Sequence, residues 1–333
     1  MPAPERLTVE RIARALDISS TTVSRALSGK GRVSEATRTR VLEYISRSGG
    51  DTTLLDRRRE ERATHNLALV IPSHFVQLDL PFLRKCMGGV CRMAAQRGYD
   101  ILLCYADPLD TVQLERQLRA RKVDGVILSR TMVEDPCLTL VRRYGVPYVV
   151  LGHVPDITAL QVDNDQTGAA YELTRLLLQM GLRRLAFMGG SMDYTVNQDR
   201  MQGYRQALAE YGAAPERGLI RTGVEARDQI PDALEGLLEQ YPDCILCSDD
   251  TMALNVLADL NRRGIGVPAQ LRLASFYDSE SLLTASPPVT AAQFDAALLG
   301  STACRLLMDF MAGKEVTARQ VQGYQVVLRE STK

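Results

Sequence analysis

Tryptophan is absent from this 333-residue chain, and histidine occurs only three times, at His65, His74 and His153. Histidines so scattered carry no metal-site or catalytic-pair spacing. No apolar run approaches the roughly 18 residues that span a bilayer, and Met1 to Arg14 lacks the apolar core of an export signal. The expectation is a cytoplasmic protein without membrane contact. Phosphate-cradling loops are missing as well. Gly88-Gly89 and Gly189-Gly190 are isolated pairs, and neither a G-x-G-x-x-G fingerprint nor a P-loop nor a Gly-x-Ser-x-Gly elbow occurs. The seven cysteines are odd in number and lie mostly in apolar surroundings such as Ile101-Leu-Leu-Cys104. Reduced, buried thiols are the simplest reading. Cys244-Ile-Leu-Cys247 has C-x-x-C spacing, but reads as part of a buried strand with no second pair to complete a metal site. No cofactor, metal or catalytic residue is expected.

Net charge is zero, yet it is unevenly spread. Residues 1–50 hold nine basic and five acidic side chains, an excess of four that the other 283 residues cancel. A basic end on a neutral chain suits a phosphate-binding module, although solvated helices also carry such an excess. At this length two or three domains are expected.

Residues 8–47 break into three short helical patterns. Thr8 is placed to cap the first, which carries Ile12, Ala13 and Leu16 inward; Asp17-Ile18 makes a tight turn. Ser19 caps a second helix running to Ser28, with Val23, Ala26 and Leu27 inward. After the loop Gly29 to Arg32, Ser34 caps a third with Val41, Leu42 and Ile45 inward. The outward face of the second helix is Ser20, Thr21, Ser24 and Arg25. Short hydroxyls reach phosphates or base edges, and an arginine pairs bidentately with guanine, so this face suits a major groove. A three-helix scaffold with a polar face is the plainer alternative.

The literal residues from Leu7 to Arg40, above all Thr22-Val-Ser-Arg25 and Val33-Ser34 to Thr37-Arg38, resemble the N-terminal head of the LacI/GalR family of helix-turn-helix transcription regulators. That resemblance implies double-stranded operator DNA as partner. It puts Ser20 and Thr21 at the specificity positions and Arg25 at a base-contacting one. Ser19, Thr22, Ser28 and Thr37 then fall at phosphate contacts, Arg32 in the DNA-touching loop, and Thr8 and Ser24 complete the expected DNA-binding set. The linker departs from the family pattern. Relatives carry Tyr-x-Pro-Asn and then Ala-Arg-x-Leu, whose Leu wedges into the minor groove. Here Ser48 to Arg62 lacks the Tyr, Pro and Asn, and Arg59 falls where the Leu would be. A helix with Arg57, Arg58 and Arg59 as phosphate contacts and a solvated linker are both open.

From Leu67 onward, short apolar runs alternate with helical patterns: Leu67–Ile71, Ile101–Tyr105, Gly125–Leu128, Tyr148–Leu151, Leu185–Met188, Cys244–Cys247 and Leu273–Phe276, with room for a further unit between 189 and 243. This βαβ rhythm predicts parallel sheets. Their number, and a polar stretch near 153–165, suggest two lobes with a ligand cleft at the carboxyl ends of the strands. The expected fold is therefore α/β: a three-helix head at 1–48, a linker at 49–65, and a two-lobed parallel-sheet sensor at 66–333. Val162-Asp-Asn-Asp165, Asn197 to Tyr204, Ser248-Asp-Asp250 and Ser275-Phe-Tyr-Asp278 resemble the family's sensor domain, which shares its fold with periplasmic sugar-binding proteins. The resemblance implies effector contacts at Ser73, Asp163, Arg200, Asp250 and Asp278. Tyr277 stands where relatives often carry Asp or Asn, free to stack on a sugar ring or close the cleft, and His153 stands where Arg is frequent. The implied function is a regulator, with repression favoured over activation, responding to a small polar metabolite, sugar-like in the first instance, with sugar phosphates and nucleosides open. An α/β enzyme with a regulatory head is the rival, and lacks a visible nucleophile, base or cofactor loop. With no leucine heptads after Val326-Val-Leu328, a homodimer is expected.

Overall fold

The computed structural model describes residues 9–28, 33–34, 36–37, 39–41, 44, 63–72, 81–106, 108–129 and 131–333, and for Glu10, Ser24, Leu27 and Ser28 the backbone alone. Expectations placed on Thr8, Arg32, Leu42, Ile45, the stretch 49–62 and Ser73, and on the side chains of Ser24, Leu27 and Ser28, lie outside the described residues. The chain divides into two units, Met1–Thr64 and His65–Lys333.

In the first unit, α1 (Val9–Leu16) and α2 (Ser20–Ser28) are followed by helical residues 36–37, 39–41 and 44. Asp17 sits in the left-handed region at φ 52°, and the Ile18 N–H returns to the Ala13 carbonyl at 3.0 Å, which ends α1. Asp tolerates that conformation better than most residues. Ser19 Oγ accepts the Thr22 N–H at 3.0 Å and starts α2, and Ser34 Oγ accepts the Thr37 N–H at 3.2 Å. Ile12, Ala13, Val23, Ala26 and Val41 pack as one core, with Leu16 and Ile18 against it.

The second unit has two six-stranded sheets. The first lobe uses β1 (Asn66–Ile71), β2 (Asp100–Tyr105), β3 (Gly125–Leu128), β4 (Tyr148–Leu151), β5 (Leu160–Asn164) and β11 (Arg319–Gln322), in the spatial order β11-β5-β4-β3-β1-β2, all parallel. The second uses β6 (Leu185–Met188), β7 (Ile220–Arg221), β8 (Cys244–Cys247), β9 (Arg272–Ser275), β10 (Thr290–Gln293) and β12 (Gln325–Val327), ordered β12-β10-β9-β8-β6-β7, with only the β10–β12 pair antiparallel. Helices α3 (Pro81–Gln96), α4 (Val112–Arg119) and α5 (Pro136–Tyr144) cover the first sheet, and α6 (Gln166–Gln179), α7 (Thr195–Glu210), α8 (Ile230–Leu238), α9 (Asp250–Arg262) and the short α10 (Glu280–Leu283) belong to the second.

Aspartate starts four of the helices of this unit. Asp135 accepts the Cys137 and Leu138 N–H groups ahead of α5, Asp165 accepts that of Gly168 ahead of α6, and Asp249 accepts that of Met252 ahead of α9. Asp295 does the same for α11 (Ala296–Met311), which returns to the first lobe and buries Leu299, Ala303 and Leu307 with Leu67, Ile127 and Val149. The chain thus crosses between lobes three times, after β5, after β10 and between β11 and β12.

All seven apolar runs are strands or overlap one. The polar stretch near 153–165 runs up to the first crossing between lobes, and its second half is β5, a buried strand of the first lobe. Gln161 is tolerated there because its amide donates to the Asp156 carbonyl at 2.7 Å and accepts the Val154 N–H at 3.0 Å. The stretch from 189 to 243 holds the further unit, β7 with α7 and α8 on either side.

Candidate functional site

On the head, capping and packing decide which side of α2 is outward. Val23 and Ala26 are buried, while Ser19, Ser20, Thr21 and Arg25 are exposed and Thr22 is half-buried. Ser19 and Thr22 share a hydroxyl contact of 2.7 Å, as do Ser34 and Thr37. The result is an outward face of hydroxyls at the start of α2 with one guanidinium in its last turn, the chemistry that contacts phosphates and base edges.

The larger site is a cavity of about 210 Å³ between the two lobes. The carboxyl ends of parallel strands supply it, as expected for open α/β sheets. Ser129 and Thr131 follow β3, Leu151 and Gly152 close β4, and Asp163 and Asn164 end β5. Across from them stand Gln166 of α6, Tyr194, Asn197 and Arg200 at the start of α7, Glu225 to Arg227, the pair Asp249 and Asp250, and Tyr277 after β9. The lobes touch directly beside the cavity: Thr131 and Thr195 hydroxyls lie 2.9 Å apart, and the Val133 N–H donates to the Asp193 carbonyl at 3.0 Å. Gly152 is held at φ 118°, and a Cβ there would lie 2.6 Å from Thr131 Oγ1, so this wall takes glycine alone.

Several polar groups here are buried with few or no hydrogen-bond partners. Arg200 is buried, and among the described residues its guanidinium makes one hydrogen bond, Nε to Gln166 Oε1 at 3.0 Å. Burial pulls its pKa below the ordinary value, against the charges of Asp249, Tyr277, Asp199 and Asp250. Ser129 Oγ, Asn164 Oδ1 and Asp250 Oδ2 are buried with no hydrogen-bond partner among the described residues, and all three residues line the cavity. Such atoms are rare in folded proteins and ask for an explanation. Burial raises the Asp250 carboxyl above its usual range, and Asp249 pushes the same way. Tyr277 presents a buried ring, edge-on to Phe82 at 5.3 Å and parallel to Phe294 at 6.2 Å.

Of the residues named from sequence, Asp163, Arg200, Asp250 and Tyr277 come together in this cavity. Asp278 does not: it is turned to Arg329, which donates to both its oxygens at 2.7 and 2.6 Å, with both side chains buried. Sequence reasoning passed over Ser129, Asn164, Gln166 and Asp249. A usable signal existed, since each sits at or just after the end of a strand or in the first turn of a helix, where parallel-sheet ligands bind. It was missed because short polar residues in loops are common. His153, unassigned from sequence, joins Asp163 of β5 and Asp199 of α7, its Nδ1 at 3.2 and 3.3 Å from one oxygen of each. Among the described residues this trio is the group close enough to converge on a cation, all within 4.8 Å, and the shared N–H already accounts for its closeness.

No helix among the described residues is long and apolar enough to cross a membrane. The family model for bacterial regulatory proteins, lacI family, matches residues 8–49, and that for a periplasmic binding protein-like domain matches 174–332. The HTH-type transcriptional regulator CelR of Thermobifida fusca is 30% identical over 339 residues, covering 99% of this chain and 100% of the relative. Catabolite control protein A of Priestia megaterium is 27% identical over 336 residues, covering 98% and 99%. The solved structure of a transcriptional regulator CelR–cellobiose complex matches with a TM-score of 0.76 at 30% identity, covering 98% of this chain and 100% of that one. A helix-turn-helix head and a two-lobed α/β body with a polar interlobe cavity, matched over nearly the whole length of such relatives, place the chain in the LacI family of DNA-binding transcription regulators.

Proposed function

We propose that this regulator represses transcription as a cytoplasmic homodimer, reading operator DNA through Ser20, Thr21 and Arg25, and that an uncharged, hydroxyl-rich metabolite bound between its lobes sets operator affinity. The head spans roughly 1–48 in this reading, the linker 49–65 and the sensor 66–333. The observation that carries the effector assignment is the set of partnerless buried atoms on Ser129, Asn164 and Asp250, facing a cavity that also exposes the Arg200 guanidinium and the Tyr277 ring. Carboxylates accept sugar hydroxyls in charge-assisted bonds, and a guanidinium offers several donors at once.

Charge narrows the class. The cavity is lined by Asp163, Glu225, Asp249 and Asp250 against two cations, Arg200 and Arg227. A phosphate ester would enter an excess of negative charge at short range, which is costly in a poorly solvated site. A neutral saccharide meets no such penalty, and the cellobiose complex of the CelR structure is in keeping with it. Arg227 and Glu225 replace nothing in the sequence-based set and extend the polar rim.

A ligand shifts DNA affinity only by its differential affinity for two lobe arrangements. The test is calorimetric titration of the full chain with cellobiose, glucose and glucose 6-phosphate, followed by operator binding with and without the saccharide that binds. A neutral saccharide is expected to bind and to change operator affinity, while Arg200→Ala folds, holds operator DNA and loses the response. Preferential binding of the phosphate ester, or a wild-type response from Arg200→Ala, would overturn the reading.

A further inference from the structure

His153 has no part in the effector chemistry above, yet its position is unusual. It leaves the end of β4 in the first lobe and reaches α7 of the second, so its ring spans the seam beside the cavity. The same nitrogen, Nδ1, faces Asp163 Oδ2 at 3.2 Å within its own lobe and Asp199 Oδ2 at 3.3 Å across the seam. Two carboxylates on one N–H repel each other unless the ring between them is cationic. The next charge on α7, Arg200, acts on Asp199 as well as on Asp249, Asp250 and Tyr277. Asp163 and Asp199 are the charged groups acting on the imidazole from β5 and α7.

We propose that His153 is a proton-operated latch between the lobes: the imidazolium ties Asp199 of α7 to Asp163 of β5, so that closing the effector cavity takes up a proton and losing that proton loosens the closed form. The proposal deepens the effector reading by adding a control on that same cavity, since Asp163 lines it and Asp199 precedes Arg200. The hydrogen bonds to Asp163 and Asp199 raise the histidine from 6.5 to about 10, overcoming the burial that lowers it. With the lobes apart, Asp199 no longer faces the ring while Asp163 of the same lobe still does, so the value falls part of the way back toward 6.5. The raised value belongs to the closed form, so the latch holds fully below the open form's value and is lost as pH rises through about 10. Closure is therefore supported at neutral pH and loses that support at alkaline pH.

The chain's three histidines make the test direct. Imidazole titration by NMR on the full chain, without ligand, with His153→Gln to assign the resonance, is expected to show one histidine titrating above pH 8.5. Asp199→Asn is expected to lower that midpoint by about 1–3 pH units, the effect of one nearby opposite charge. Thermal melts supply a second readout: moving from pH 6.5 to 9.5 should cost wild type more than it costs His153→Gln. A wild-type midpoint near 6.5 overturns the latch, as does an unchanged midpoint in Asp199→Asn, which would leave the ring bonded within one lobe only. None of these measurements uses an effector. A high midpoint that falls in Asp199→Asn, together with no saccharide binding, leaves the latch standing and removes only the effector assignment.

Discussion

Two aspartates, each three positions past the end of a buried strand, show how differently one residue type is used here. Asp250 is buried, lines the cavity and leaves Oδ2 without a partner. Asp278 is equally buried but fully engaged by Arg329. Ionised Asp250 costs folding free energy, because burial holds its folded pKa above the unfolded one; its relative stabilisation is present at low pH and lost as pH rises through the carboxylate range. Asp250→Asn is accordingly expected to stabilise the protein at pH 7 by about 0.5–2 kcal/mol, with the gain vanishing in acid, and to weaken saccharide binding; denaturant melts at pH 7 and pH 3.5 check the sign. Arg329→Met strands a buried carboxylate and should destabilise by about 3–5 kcal/mol, while the folded fraction still binds saccharide. On the head, Arg25→Ala should cost operator binding about 1–3 kcal/mol and relax preference at one base pair, read by binding to operator and control DNA across a salt series; equal discrimination by mutant and wild type would take Arg25 out of base readout.

At the level of elements, the cavity depends on helices that meet through glycine. A Cβ on Gly300 of α11 would collide with the Cys86 carbonyl of α3, one on Gly89 of α3 with the Ala297 carbonyl, and one on Gly203 of α7 with the Thr167 carbonyl of α6. Backbone cannot yield as a flexible side chain can. Gly300→Ala should therefore cost at least about 1–3 kcal/mol, seen as a lower denaturant midpoint, with loss of first-lobe packing because α11 carries Leu299, Ala303 and Leu307 into that core. Gly88, on the same helix as Gly89, has only an arginine side-chain end near its Cβ position, so Gly88→Ala is expected to be neutral or mildly stabilising. The contrast between adjacent glycines tests the packing argument within one helix.

For the whole molecule, charge separates the two functions. The excess of basic over acidic side chains is confined to the first fifty residues, whereas the cavity rim is acidic. The logarithm of operator affinity is expected to fall linearly with the logarithm of salt, with a slope of about 0.9 per phosphate neutralised, while saccharide binding to the same chain changes little. Comparable salt slopes for both ligands would contradict the assignment of DNA contact to the head and of a neutral guest to the cavity.

Local chemistry was readable without a structure. The α1–turn–α2 pattern follows from Asp17, Ser19 and the spacing of Val23 and Ala26, and seven strands follow from short β-rich runs, because capping and periodicity act over a few residues. Asp163, Arg200, Asp250 and Tyr277 were legible through motif position and share one cavity in the structure. What the sequence could not contain was long-range choice. Asp278 was as good a candidate as Asp250 until Arg329, 51 residues later, occupied it. The polar strand β5 hid in a stretch that looks like a boundary, since Gln161 finds its partners only once Val154 and Asp156 fold back beside it. α11 joins a core whose first strand lies over two hundred residues earlier in the chain, and His153 gains its second carboxylate only across the seam between lobes. Each of these is decided by which groups the tertiary fold brings within hydrogen-bonding or packing distance, a quantity that periodicity and capping do not encode.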